Sequence, residues 1–402
     1  MHSPQTPDGA MIIRTPLLVD DRGISRGDFA LSMLPGSRVP SVATVGDFAS
    51  AVQQWPGAVV KHADAVSPLL VNAHTHLDLS TYPALRSSFP DFVMALMRHR
   101  RAFPQARNVS AAMTGLQQLI EQRLCAVGDI VARDTVLVAE LRDSPLAGVA
   151  YREVVCTQLD AAPATLARLR QQLPGWRALQ RRDGPVVGLC PQSPYLVCKP
   201  VLQALARWSI AEGLPLQIHV AESPSELEFF QTGAGAMARM LASSGFTLPP
   251  TPATLGFVAD RAMTPIRYLA EIGFLDAAPT LVHCVHVSDE DVRIIAEYGC
   301  PVVSCPRSNA NLMCGAFAWQ KFVRAGVSVA LATDSVASAH SLDLRAEMAK
   351  AFEVYGPEFN LGIALEWLTA GGNRALRRPA QSVGPGCRLD ALTLVNLRAE
   401  PS

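Results

Sequence analysis

Residues 69–80 read Leu-Leu-Val-Asn-Ala-His-Thr-His-Leu-Asp-Leu-Ser. A short apolar run leads into two histidines, His74 and His76, with one residue between them. On an extended strand, positions i and i+2 share a face and lie about 6–7 Å apart, so both imidazoles reach one cation. Similar endings recur downstream. His219 follows Leu216-Gln217-Ile218, His283 follows Thr280-Leu281-Val282, and Asp334 closes the apolar run 327–333. Each of these groups costs several kcal/mol if buried without a partner. One cation would satisfy them together. If the runs are parallel strands, the groups gather at the C-terminal ends, the active face of a barrel.

Working outward, eight buried strands are expected at 69–73, 126–131, 146–155, 186–190, 216–220, 280–283, 301–304 and 327–333. Helical patterns lie between them. Met113, Leu116, Leu119, Ile120 and Leu124 repeat at helical spacing over 110–124. Ser223-Pro224-Ser225-Glu226 has the form of a capping box with proline at the first helical position. Ser288-Asp289-Glu290-Asp291 opens another helix, and Gly299 is placed to stop it. The alternation predicts an α/β fold, a (β/α)8 TIM barrel over 69–372. Residues 1–68 carry short apolar runs broken by Gly, Pro and Asp, which is β-meander punctuation. Residues 373–402 return to β character at Leu389, Leu392, Leu394 and Val395. Both termini are therefore expected to build a small accessory β-sheet domain.

The 402 residues include 35 Lys+Arg and 35 Asp+Glu, for a formal net charge of zero. That balance argues against a nucleic-acid partner. With 49% hydrophobic residues the chain is not of the disordered class. No apolar stretch approaches the roughly 18 residues of a membrane span, so no membrane partner is expected. Residues 1–8 lack the basic and apolar regions of a secretory signal. The nine cysteines, with no CxxC pair, read as reduced side chains in a cytoplasmic protein.

Five runs carry a family resemblance: VNAHTHLDLS (71–80), HVAE (219–222), VHCVHVS (282–288), SCPRSNANL (304–312) and ATDSVASAHSLD (332–343). Together they resemble the amidohydrolase superfamily, in its mononuclear aminohydrolase branch of cytosine, guanine and S-adenosylhomocysteine deaminases and triazine chlorohydrolases. The resemblance implies His74, His76, His219 and Asp334 as ligands of one divalent metal ion, zinc first and iron second. Binuclear relatives use a lysine on the fourth strand, and 186–190 contains none. The resemblance further implies attack by a metal-bound hydroxide, with Asp334 taking the water's proton. Glu222 would protonate a ring nitrogen, and His283 would orient the nucleophile. The implied reaction turns C–NH2 into C=O with release of ammonia, on an aminopurine-like heterocycle or nucleoside derivative. Dechlorination or cyclic-amidine hydrolysis on the same site, and a silent binding protein on this fold, are the alternatives. His286 and His340 are assigned to loops, and His2, His62 and His99 have no companion residues in the sequence.

The segment 82–107, with Arg98-His99-Arg100-Arg101, resembles the one covering the pocket in aminodeoxyfutalosine deaminases. Those enzymes deaminate an adenine ring carrying a benzoate, which an arginine such as Arg101 would bind. Related deaminases show Pro-His-Ala-Pro-Tyr after the fourth strand, whereas this chain has Pro191-Gln192-Ser193-Pro194-Tyr195. Gln192, Arg101, Asn309 and Ser335 are the expected substrate contacts. A small heterocyclic substrate is the expected partner, and a homodimer is allowed.

Overall fold

The computed structural model describes residues 9–35, 39–102 and 108–396. His2, residues 103–107 of the pocket-covering segment and residues 397–402 lie outside the described residues. The chain opens with five strands, β1 (Met11–Asp20), β2 (Gly23–Leu34), β3 (Ser41–Asp47), β4 (Val59–His62) and β5 (Ala65–Pro68). β1 pairs antiparallel with β2, which pairs antiparallel with β3, while β4 and β5 run parallel to β1.

Eight strands then alternate with helices: β6 (Val71–Thr75), β7 (Ala126–Val131), β8 (Ala147–Val154), β9 (Pro185–Pro191), β10 (Gln217–Val220), β11 (Thr280–His283), β12 (Val302–Ser304) and β13 (Val329–Leu331). They occupy the eight expected places. β6 starts two residues later than expected and carries His74 inside it. The last strand, β14 (Leu392–Val395), returns to pair antiparallel with β5 and completes a six-stranded sheet.

The eight central strands form two parallel four-stranded sheets, in the orders β6-β7-β8-β9 and β10-β11-β12-β13. Single parallel bridges connect the sheet edges, Leu189 with Leu216 and Thr75 with Asp334. Asn72 reinforces the second seam. Its Nδ2 donates to Thr333 Oγ1 at 2.8 Å, and its Oδ1 accepts from Thr333 N at 3.1 Å. Parallel strands covered on both faces are apolar along their whole length. One cluster, with Val71, Ile130, Tyr151, Val282, Val303 and Ala330, gathers side chains from the strands themselves. A larger one packs the opposite faces against helix residues such as Leu116, Leu141, Leu173 and Leu205. Close approach explains Gly128, since a Cβ there would meet Ala73 O at 2.4 Å. The β6–β7 register shifts at that point, between Asn72 and Thr75, and bulges re-aim side chains beside sites.

The helix signals are realised with one change. Val109–Glu121 is capped by Asn108 and Asp289–Glu297 by a reciprocal Ser288–Asp291 box. Gly299 follows the latter helix in the left-handed region, at φ 64°. Pro224–Thr232 is capped by Ser223, which accepts from Glu226 N. The Glu226 carboxylate does not return to Ser223. It accepts instead from Ala221 N and Glu222 N, both at 2.9 Å. All nine cysteines are free thiols. No helix of the described residues is long and apolar enough to cross a membrane.

Candidate active site

His74, His76, His219, His283, Glu222 and Asp334 meet at the C-terminal ends of the central strands. His74 and His283 lie at or near the ends of β6 and β11, and His219 lies within β10. His76 and Asp334 stand just past β6 and β13, Glu222 two residues past β10. All are buried except His76, which is partly so. The His76 and His219 Nε2 atoms are 3.2 Å apart. Asp334 Oδ1 lies 3.6 Å from His76 Nε2 and 3.7 Å from His74 Nε2. Ligand atoms on a tetrahedral cation with bonds of about 2.1 Å would be about 3.4 Å apart.

The outer ring nitrogens of His74 and His219 are engaged, so that their inner ones face the site. His74 Nδ1 donates to Gln217 Oε1 and His219 Nδ1 to the Gln192 carbonyl, each at 2.7 Å. His74 Nε2 is buried with no hydrogen-bond partner. An orphaned imidazole lone pair aimed at two further imidazoles and a carboxylate fits a divalent cation. His283 also comes within 4.8 Å of His74 and Asp334 through ligand atoms. Both of its nitrogens have other neighbours, however. Nδ1 donates to Asn309 Oδ1 at 3.0 Å, and Nε2 lies 3.5 Å from Glu222 Oε1. Ser308 Oγ donates to Asp334 Oδ2 at 2.6 Å.

The backbone turns sharply here. Ala221, His283, Cys284 and Asp334 have φ of 52°, 76°, 47° and 59°, left-handed values that non-glycine residues rarely adopt. Such strain, of order 1–3 kcal/mol per residue, persists where surrounding bonds enforce it. Val285 N and His286 N both donate to the Ala221 carbonyl at 2.9 Å, and Asp334 N donates to His74 O at 3.1 Å.

Burial, then the nearby charges of Asp334 and Glu226, hold the Glu222 carboxyl well above the usual range. Burial pushes Asp334 the same way, but the facing His74, His76 and His283 rings hold it well below. Burial and neighbouring imidazoles lower His219 to about 3. Burial lowers His283 to about 4. The two carboxyl groups are thus pushed in opposite directions within one site, the pattern of a paired acid and base.

A cavity of about 470 Å³ opens over this cluster. The segment after β6 supplies Tyr82, Phe89, Phe92, Val93, Leu96 and Met97 to its wall, and Met240, Leu241 and Phe246 face them. Gln192 and Ser335 line it, though the Ser335 hydroxyl also accepts from Ser338 N as a helix cap. Two expected contacts lie elsewhere. Arg101 does not line the cavity, and its Nη2 is held by the carbonyl of Ser244, a residue of the cavity wall, at 2.8 Å. Asn309 stands behind His283, its oxygen occupied by that ring. The arginines lining the cavity are Arg152 and Arg168, and Arg152 Nε is bound to Asp134 Oδ1 at 2.5 Å. His99 does have a companion, since its ring packs on Tyr82 at 4.2 Å between centroids. His286 Nε2 donates to the Cys314 carbonyl at 2.5 Å, and His340 is exposed. Gln217, Glu226 and Ser308 are site residues that the sequence did not single out. Glu226 had the form of a capping partner, Ser308 lay unremarked in the run 304–312, and the only signal at Gln217 was a polar side chain in a buried run.

The amidohydrolase family model matches residues 65–398, and the chain belongs to that family. It is an aminohydrolase, acting on C–N bonds. An aminodeoxyfutalosine deaminase of Deinococcus radiodurans is 40% identical over 339 residues, covering 84% of this chain and 79% of that protein. A 5-methylthioadenosine/S-adenosylhomocysteine deaminase of Pelotomaculum thermopropionicum is 25% identical over 382 residues, covering 89% and 78%. Among solved structures, Helicobacter pylori aminofutalosine deaminase in complex with methylthio-coformycin aligns with a TM-score of 0.73 at 20% identity, covering 94% and 90%.

Proposed function

We propose that the chain is a zinc-dependent deaminase of an adenine-type nucleoside derivative, with aminodeoxyfutalosine the first candidate. The observation that carries this is the buried carboxyl of Glu222, 3.5 Å from His283 at the base of a largely apolar cavity beside three histidines and Asp334. A deaminase needs such an acid, because the ring nitrogen must gain a proton as the adjacent carbon is attacked. The relative at 40% identity supports the substrate class. Arg152 and Arg168 supply the cationic counterpart for a carboxylate on the substrate.

In this reading His74, His76, His219 and Asp334 hold one zinc, and the strands around them are a closed (β/α)8 barrel with the terminal strands as an accessory domain. The bound cation would lower the pKa of a water toward neutrality. Asp334 would be placed to take a proton from the attacking water. Glu222 would give its proton to the ring nitrogen as the carbon is attacked, and His283, whose Nδ1 proton is held by Asn309, would accept at Nε2 from the incoming water. A proton returned through Glu222 leaves with the amine as the C–N bond breaks, giving ammonia and a ring carbonyl. The free cysteines suit a reducing cytoplasm.

The test is ammonia release by metal-analysed protein from aminodeoxyfutalosine, methylthioadenosine, S-adenosylhomocysteine, adenosine and free aminopurines. Turnover of at least one nucleoside derivative is expected. Full metal content with no ammonia from any of them, and release of chloride from a chlorotriazine instead, would overturn the reading.

A further inference from the structure

Behind His74–Leu77, on the side away from the cavity, lies a group of buried acids that the reaction does not use. Asp78, Asp129 and Glu140 are 0%, 1% and 3% exposed. Asp129 stands on β7, opposite Thr75 in the strand register. Its Oδ1 accepts from Leu77 N at 2.7 Å and from Thr75 Oγ1 at 2.8 Å. Thr75 and Leu77 are the two residues flanking His76. Glu140 comes from the helix Asp134–Asp143, which follows β7. Burial, then the neighbouring Asp129, hold its carboxyl well above the ordinary range. Asp129 Oδ2 and Glu140 Oε1 are buried with no hydrogen-bond partner.

We propose that Asp129 clamps the chain on both sides of His76 and thereby sets the direction of that imidazole in the cation site. Three observations converge on this. Both hydrogen bonds from the clamp fall on immediate neighbours of His76. The β6–β7 register breaks between Asn72 and Thr75, so ladder pairing alone does not hold the segment. Thr75 is also the residue bridging to Asp334 across the sheet seam. Fixing Thr75 therefore fixes the chain next to His76 and next to Asp334 at once. Asp129 is a positioning residue and touches neither substrate nor cation.

The inference rests on His76 being a ligand, and the experiment separates the two. Full-length protein is stripped with chelator, and zinc affinity is measured by competition. The visible spectrum of the cobalt(II)-loaded form reports the coordination geometry. His76→Ala with unchanged zinc affinity would remove the ligand reading itself. With that reading intact, Asp129→Ala is expected to weaken zinc binding about 10- to 100-fold and to alter the cobalt spectrum. Asp129→Asn, which keeps the acceptor oxygen, restores most of both. Thr75→Val removes the side-chain bond of the clamp and is expected to weaken zinc binding by a smaller factor. A folded Asp129→Ala protein with a lowered melting temperature but wild-type zinc affinity and spectrum would reduce Asp129 to a structural role and overturn the proposal. If Asp129→Ala does not fold, Thr75→Val decides by the same two readouts.

Discussion

The two halves of the central sheet are built differently. β6 to β9 are 5, 6, 8 and 7 residues long, and β10 to β13 are 4, 4, 3 and 3. The long half ends in ordinary extended backbone. It contributes His74 and His76 and, from the ends of β8 and β9, the cavity wall of Arg152, Glu153, Val154 and Gln192. The short half ends early, and its chain turns through left-handed residues at Ala221, His283, Cys284 and Asp334. It contributes His219, Glu222, His283 and Asp334. Short strands followed by enforced turns bring reactive side chains into the mouth. Long strands carry walls past them.

The comparison breaks hardest at Glu222. In Glu222→Gln, turnover is expected to fall about 10²- to 10⁴-fold with zinc content unchanged, by ammonia assay and metal analysis. Unchanged turnover would take the chemistry away from the short half. Next is a packing test. Gly148, in the long half, has φ 126° and would place a Cβ 1.9 Å from Val127 O. Gly148→Ala is expected to cost about 3 kcal/mol or more by urea unfolding. Ala221→Gly in the short half, where glycine relieves strain but adds chain entropy, changes stability by under about 1 kcal/mol. Equal losses in the two variants would erase the distinction.

A smaller effect tests the bond that crosses between the halves. Gln217→Leu leaves His74 Nδ1 without its acceptor, and zinc affinity should drop about 10-fold or more in chelator competition. Wild-type affinity would mean that the ring is oriented by packing alone. The smallest effect is a pH slope. Burial raises the Glu226 carboxyl to about 7, so the folded state holds its proton more tightly than the unfolded chain. Its stabilising contribution is full below about pH 4.5 and is lost as pH rises toward about 7. Urea midpoints at about pH 5 and about pH 8 should therefore differ less in Glu226→Gln than in wild type. The same difference in both proteins would place the slope elsewhere.

The parts legible in the sequence were those where burial makes a residue type expensive. A histidine or aspartate closing an apolar strand has no cheap explanation, so His74, His76, His219, His283 and Asp334 stood out, and the eight strands with them. Supporting contacts were hidden for specific reasons. Gln217 sits in a four-residue strand where nothing in its spacing points to His74. Glu226 has the form of a capping partner, but the sharp turn at Ala221 leaves two N–H groups that claim its carboxylate first. Arg101 is a long side chain in a basic run, and only the position of the Ser244 carbonyl decides which way it turns. Asn309 lies in the quoted run 304–312, yet its place behind His283 rather than against the cavity depends on how the following helix is set.

The seam between β6 and β13 has a consequence for biosynthesis. Asn72 and Thr333, 261 positions apart, are cross-linked there, and Asp334 N donates to His74 O beside them. The first and last of the proposed ligands are thus joined late, with β14 still to pair with β5. A polypeptide halted or cleaved before Asp334 holds the imidazoles and Glu222 but lacks the carboxylate of the proposed cation site. That site is therefore completed only late in synthesis, when the residues after β13 meet β6.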